Sequence, residues 1–166
     1  RRITDNCEMV AKLPELNPLG GQYCRVEENF LTQVKFLGTY TLPRVDLLVA
    51  ATYQSLPGPE IQADLTATNA IVAPSLGRNL SGGASNVVIP IVSPGSLYGE
   101  RMNQLDVRIA KVLRTGPIRT TAGFDIYNLF NANPVLSLQT RFGTAWQNPL
   151  TILNSRLIKF GGQIDF

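Results

Sequence analysis

Two cysteines and two aspartates are the residues of this sequence best placed to do chemistry. Cys7 and Cys24 have sixteen residues between them. That spacing suits a disulfide in an oxidising compartment or two free thiols in a reducing one. Asp106 and Asp125 lie in segments that a hairpin would bring opposite each other, close to Arg108 and Arg119. A carboxylate pair could do general acid–base work, but one set among arginines reads better as a charge network. The sequence has no histidine, which removes Ser-His-Asp and Cys-His catalysis and every His-ligated metal site. Two cysteines are too few for a four-thiolate zinc site. Ser81-Gly82-Gly83 and Gly20-Gly21 lack the Gly-Lys-Ser/Thr ending of a phosphate loop. With no nucleophile–base set and no metal cluster, the chain reads as a non-enzyme that calls for no cofactor.

The 166 residues allow one domain of ordinary size. Hydrophobic residues make up 44%, enough for a core, while charged residues reach only 16% against roughly 25% in an average soluble domain. Fourteen glycines and eleven prolines point to a turn-rich β protein with little surface charge. The net charge of +3 is dispersed, and no basic run extends beyond Arg1-Arg2, so nucleic acid is not an expected partner. The longest aliphatic run covers only residues 47–51, far short of the ~20 residues of a membrane helix. The N-terminal Arg-Arg-Ile-Thr-Asp-Asn has no apolar stretch behind it, and the first residue is not Met. It reads as the start of a processed product or of the tail of a longer protein.

The elements that must position these residues are announced by alternation. Val34, Phe36, Tyr40 and Leu42 share one face, and Gln33, Lys35, Thr39 and Thr41 the other. After Pro43-Arg44, Val45, Leu47, Val49, Ala51 and Tyr53 alternate with polar residues that include Asp46 and Thr52. A period of two predicts strands, and the short connection predicts a hairpin. A long stretch over 57–100 is rich in breakers, with Val87-Val88-Ile89 as a short strand inside it. Leu105, Val107 and Ile109 then alternate with Gln104, Asp106 and Arg108. Beyond Arg114-Thr115-Gly116-Pro117, Ala122, Phe124 and Ile126 alternate with Thr121, Gly123 and Asp125. A second long connection covers 131–154. The chain closes with Arg156, Ile158, Phe160, Gly162, Ile164 and Phe166 on one face and Leu157, Lys159, Gly161, Gln163 and Asp165 on the other.

Five strands of about 10–13 residues exceed the ordinary ~5–6 and match the ~9–11 that cross a bilayer. Connections alternate between very short and long, as in an outer-membrane barrel with short periplasmic turns and long extracellular loops. The expected fold is therefore all-β: an antiparallel transmembrane β-barrel portion whose apolar residues face lipid. Lys35, Asp46, Asp106, Arg108, Arg119, Asp125, Lys159 and Asp165 are its expected lumen-facing charges. Tyr40, Tyr53, Phe160 and Phe166 are expected near strand ends, at the membrane interfaces. Lys111 and Arg156 fall on the apolar face, near strand ends where they can snorkel. In an extracellular, oxidising loop, Cys7 and Cys24 are expected to form a disulfide, worth about 3 kcal/mol in the chain-entropy model.

Several segments carry a resemblance. They are Asn103-Gln104-Leu105-Asp106-Val107-Arg108, Gly123-Phe124-Asp125-Ile126-Tyr127-Asn128-Leu129-Phe130-Asn131-Ala132-Asn133, the block Tyr98-Gly99-Glu100-Arg101, and the closing run 156–166. Together they resemble the C-terminal strands of TonB-dependent outer-membrane receptors, in particular the Oar-like group that bears a carboxypeptidase-regulatory domain. The likeness extends from about Cys24 onward. It implies a Gram-negative outer-membrane location, lipid and the rest of the parent barrel and plug as partners, and TonB as energy source. It also implies that Ile158, Phe160, Ile164 and Phe166 are similar to the terminal signal read by the barrel-assembly machinery, through strand addition at a free edge. The chain departs from the family in lacking a plug, a TonB-contacting box and most of about 22 strands.

Residues 1–28 are thus expected to be an extracellular loop with a disulfide, and 29–166 the last strands of an outer-membrane barrel. The function implied is the C-terminal part of a TonB-dependent importer of a scarce nutrient. Two alternatives stay open: a smaller structural or adhesive outer-membrane β protein, and a soluble or surface-attached β-sheet binding module.

Overall fold

The computed structural model describes residues 1–13 and 21–166; Gly20 of the Gly20-Gly21 pair lies outside them. In chain order the strands are β1 (Arg2–Asp5), β2 (Arg25–Glu28), β3 (Val34–Leu42), β4 (Leu47–Leu56), β5 (Asp64–Thr68), β6 (Asn86–Pro90), β7 (Met102–Thr115), β8 (Ile118–Tyr127), β9 (Val135–Leu138), β10 (Pro149–Ile152) and β11 (Leu157–Asp165). Helix α1 (Cys7–Lys12) follows β1, and α2 (Asn69–Leu76) follows β5. The architecture is mostly antiparallel β. By contacts the chain divides into two units. One comprises Arg1–Leu31, Pro59–Gly99 and Leu136–Thr151, the other Thr32–Gly58, Glu100–Val135 and Ile152–Phe166.

The second unit is a five-stranded sheet in the order β11-β8-β7-β4-β3, open rather than closed into a barrel. Its strands are those announced by the alternating segments, with lengths of 9, 10, 14, 10 and 9 residues from β3 to β11. All four ladders are antiparallel, and their registers are in phase. Phe36 lies opposite Tyr53, Tyr53 opposite Leu105, Ile109 opposite Phe124, and Phe124 opposite Phe160. Because successive side chains point to opposite faces, one face is apolar across all five strands. Phe36 folds back over Gly38, where a Cβ would stand 2.9 Å from the ring; glycine there lets the ring lie flat on its own strand.

Both short turns lie at one end of this sheet. Leu42 and Leu47 close the β3–β4 hairpin, and Thr115 and Ile118 close the β7–β8 hairpin. Gly116 takes φ +62° in the second turn, a conformation open to glycine without steric cost. The long connections β4–β7 and β8–β11 both leave from the opposite end. Asp46 is a departure from expectation. It lies in the turn before β4, at φ +46°, not on the polar face of a strand, because pairing resumes only at Leu47. Its carboxylate stands 3.8 Å from Arg114 Nε. Phe160 is a second departure: it is the fourth of nine residues in β11, not at a strand end.

At the long-connection end, Asn128 ties the chain together. It is 2% exposed and takes φ +52°, a left-handed conformation that Asn tolerates better than most residues. Its Oδ1 accepts from Ala132 N at 3.0 Å, and its Nδ2 donates to the carbonyls of Ala132 and Asn154, each at 2.8 Å. Asn131, also at φ +52°, accepts from Arg156 N at 3.0 Å. The start of β11 is thereby fixed to the end of β8.

The first unit is built from small pieces. β1 and β2 pair, and Cys7 and Cys24 are joined by a disulfide just beyond that ladder, with Cα atoms 4.8 Å apart. β5 and β6 form a second antiparallel pair. Asp64 N donates to Thr140 O at 2.9 Å, and Trp146 Nε1 donates to Gln62 O at 2.9 Å, so the two long connections are stitched to each other. Among the described residues the buried apolar side chains are small, those of Ala63, Ala67, Ala110 and Pro134, and no large side chain is fully buried.

Asn128→Ala removes three side-chain hydrogen bonds to the backbone of Ala132 and Asn154 and places alanine in a left-handed conformation. The expected cost is about 2–3 kcal/mol. Limited proteolysis of the folded chain should cut the 128–156 connection faster in the variant; an unchanged cleavage rate would contradict the anchoring role.

Candidate functional site

The polar face of the five-stranded sheet carries the charges. Its rows follow from the ladders. Arg108 of β7 lies opposite Asp125 of β8, and Asp125 lies opposite Lys159 of β11. This cation–anion–cation row runs across three strands. Arg108 Nη1 stands 3.5 Å from Asp125 Oδ1, and Asp125 is 5% exposed. Gly123 makes room for the guanidinium: a Cβ there would stand 3.3 Å from Arg108 Nη2. Asp106, two residues before Arg108, accepts Asn128 N–H at 2.8 Å and both oxygens take the Gln104 amide, at 3.0 and 3.1 Å.

Asp106 and Asp125 are therefore not opposed across the hairpin. Register puts Asp125 against Arg108 and Asp106 against Thr52 of β4. Arg119 does not join them either. It lies near the turn, opposite Arg114 on one side and Asp165 on the other. Lys35 sits in β3 opposite Gln54. Asp125 and Asp106 thus have distinct partners, the pattern of a charge network. A cleft of about 220 Å³ opens beside Ala50, Thr52, Asp106, Arg108 and Asp125, and among the described residues no cluster able to hold a metal occurs.

The opposite, apolar face holds three of the four residues compared to an assembly signal. Ile158 lies opposite Ile126, Phe160 opposite Phe124, and Ile164 opposite Thr120. The Phe124 and Phe160 rings are 5.1 Å apart, tilted by 44°, a geometry aromatic pairs favour. Phe166 follows the last strand and is exposed. On the two edge strands this face is exposed: Phe36 is 59% exposed, Tyr40 66% and Phe160 79%. Lys111, on the same face, turns its ammonium to Val45 O in the adjacent turn. That contact takes the charge away from the middle of the apolar surface.

In the first unit, Glu60 Oε1 accepts Gly95 N–H at 2.6 Å, and Glu60 bridges to Tyr98. Burial, and then the carboxylates of Glu60 and Glu28, push the Tyr98 phenol above its ordinary range. In the sequence Asn128, Asn131 and Arg101 stand out only as members of the resembling segments, and Glu60 not at all. Arg101 Nη1 donates to Thr32 O at 2.9 Å and Ser55 Oγ at 3.3 Å, pinning the entry to β3 against β4.

Replacing Arg108 by Ala leaves the Asp125 carboxylate beneath the surface without its guanidinium. The expected loss is about 1–2 kcal/mol, reduced from a fully buried pair because Arg108 is half exposed. In a double-mutant cycle with Asp125→Ala followed by urea unfolding, the double variant should lose less than the sum of the singles. Strict additivity would mean the two charges do not act on each other.

Compared with protein-family models, curated proteins and solved structures, the chain matches none.

Proposed function

We propose that this chain forms C-terminal strands of an outer-membrane β-barrel of the TonB-dependent receptor type, and that the whole barrel imports a scarce nutrient. The observation that carries the reading is the apolar face. It is continuous over five strands, in phase through four ladders, and exposed along both edge strands. A half-buried sheet in water hides its apolar face and shows its polar one. Here large apolar side chains stand exposed on the apolar face, and among the described residues the most buried carboxylate, Asp125, lies on the polar face. That arrangement suits lipid outside and a polar lumen inside.

Topology supports the same reading. Short turns at one sheet end become the periplasmic side, and the two long connections become extracellular loops. The Cys7–Cys24 disulfide suits an oxidising exterior. Edge strands β3 and β11 each pair on one side only. In a bilayer such edges must find partners, which the rest of the barrel supplies. Lys35, Arg108, Asp125 and Lys159 then line the lumen, where a plug packs. Ile158, Phe160, Ile164 and Phe166 present the closing strand to the assembly machinery. The barrel sits in the outer membrane of a Gram-negative bacterium, takes its energy from TonB, and has no catalytic role.

The reading is tested by expressing the parent protein in a Gram-negative host, extracting membranes in mild detergent and comparing gel mobility with and without heating. Wild-type protein should be membrane-bound and heat-modifiable. Phe124→Arg and Val107→Arg put a cation on the lipid face, at about 2–4 kcal/mol near the midplane, and should abolish the compact band. Thr121→Arg, on the polar face, should keep it. Equal damage by all three, or a folded protein in the soluble fraction, would replace this reading with a soluble β-sheet module.

A further inference from the structure

Helix α2 is apolar yet has no fully buried residue. Ile71, Val72 and Leu76 are its large side chains, and none of its residues is buried. Ile71 remains 57% exposed and Leu76 48%. The helix stands over β5 and β6, whose inner positions are Leu65, Ala67, Val87 and Ile89. Between them lies a groove of about 520 Å³ lined by Ile71, Val72, Leu76, Leu80, Val87 and Ile89, with Ser75 and Ser81 at its polar margin. Pro74 inside the helix and Gly77 at φ +71° behind it hold the helix short, so it does not close the groove with a further turn.

One charge lines this groove, that of Arg78. Its Nη1 donates to Ser81 Oγ at 2.8 Å and to Asn79 O at 3.3 Å. Those bonds set the guanidinium at the groove while leaving Nη2 and Nε as donors. No carboxylate among the described residues pairs with Arg78, and no acidic side chain lines the groove. An apolar trough with a fixed, unneutralised fork of donors at its rim matches an apolar chain that ends in a carboxylate.

We infer that the α2–β6 groove binds a small amphipathic anion, its alkyl body against Ile71, Leu76, Val87 and Ile89 and its carboxylate on Arg78. That the ligand is cargo rests on the import reading; that the groove binds it does not. The site lies within one long connection, on residues 69–89, which the topology above makes an extracellular loop.

The probes are decanoate and decyltrimethylammonium, each below its micelle concentration, and decanol below its solubility limit. They are titrated calorimetrically against the protein in zwitterionic lipid nanodiscs, with empty nanodiscs as blank. Decanoate should bind saturably and about tenfold more tightly than decanol, the worth of a charge-assisted hydrogen bond at an exposed site. Arg78→Gln should erase that difference. Arg78→Glu should reverse it in favour of decyltrimethylammonium, a gain that misfolding cannot produce. Val72→Trp, which fills the trough, should weaken all three. Equal affinity for decanoate and decanol, binding indifferent to residue 78, or no saturation above the blank would overturn the inference. If the protein proves soluble without lipid, the import reading fails, and the same titration in buffer judges the groove alone.

Discussion

The in-phase register of four antiparallel ladders is the constraint on which the rest depends. A strand's side chains alternate, so a slip of one residue would exchange its two faces. Here every ladder keeps the phase: Val49 meets Tyr40 and Ile109, Ile109 meets Phe124, and Phe124 meets Phe160. A slip in β7 alone would move Asp106 and Arg108 into the apolar face and break the Arg108–Asp125 row. The hydrophobic pattern and the charge network therefore specify the same register independently. The two tight turns at one end reinforce it by fixing which residues begin each ladder.

That register explains a sheet with so little core. Two-faced burial would require a second layer over the aromatics of β3, β8 and β11. Soluble monomers seldom leave apolar patches beyond a few hundred Å² uncovered. In a bilayer the same face needs no protein cover, and large buried side chains are not required to hold it. Stability then comes from ladder hydrogen bonds, from cross-strand pairs such as Phe124 with Phe160, and from polar anchors at the long-connection end. Asn128 and Arg101 are such anchors: each satisfies backbone carbonyls that loop geometry would otherwise leave open.

The five long strands were legible in the sequence because a period of two survives without knowledge of neighbours. The same holds for the two hairpins, whose turns carry Pro-Arg and Gly-Pro. What lay beyond reach depended on partners distant in sequence. Asp106 and Asp125 look paired by position, yet register sets Asp125 on Arg108 and turns Asp106 toward Asn128. Asp46 continues an alternating pattern but falls in a turn. Within the long connections, β5, α2, β9 and β10 have no sustained period, since each is short and rests on other loop segments. Asn128 shows no pattern at all, because its role is a set of hydrogen bonds to residues 132 and 154.

The central claim is that the apolar face meets lipid and the polar face meets water. It is measured most directly by placing single nitroxide labels at residues 120–126 of β8 in the membrane-reconstituted protein and recording their relaxation by oxygen and by a water-soluble nickel chelate. The account predicts a period of two, with oxygen strongest at 122, 124 and 126 and the chelate strongest at 121, 123 and 125. The opposite phase, or uniform access of the chelate to both sets, would contradict it.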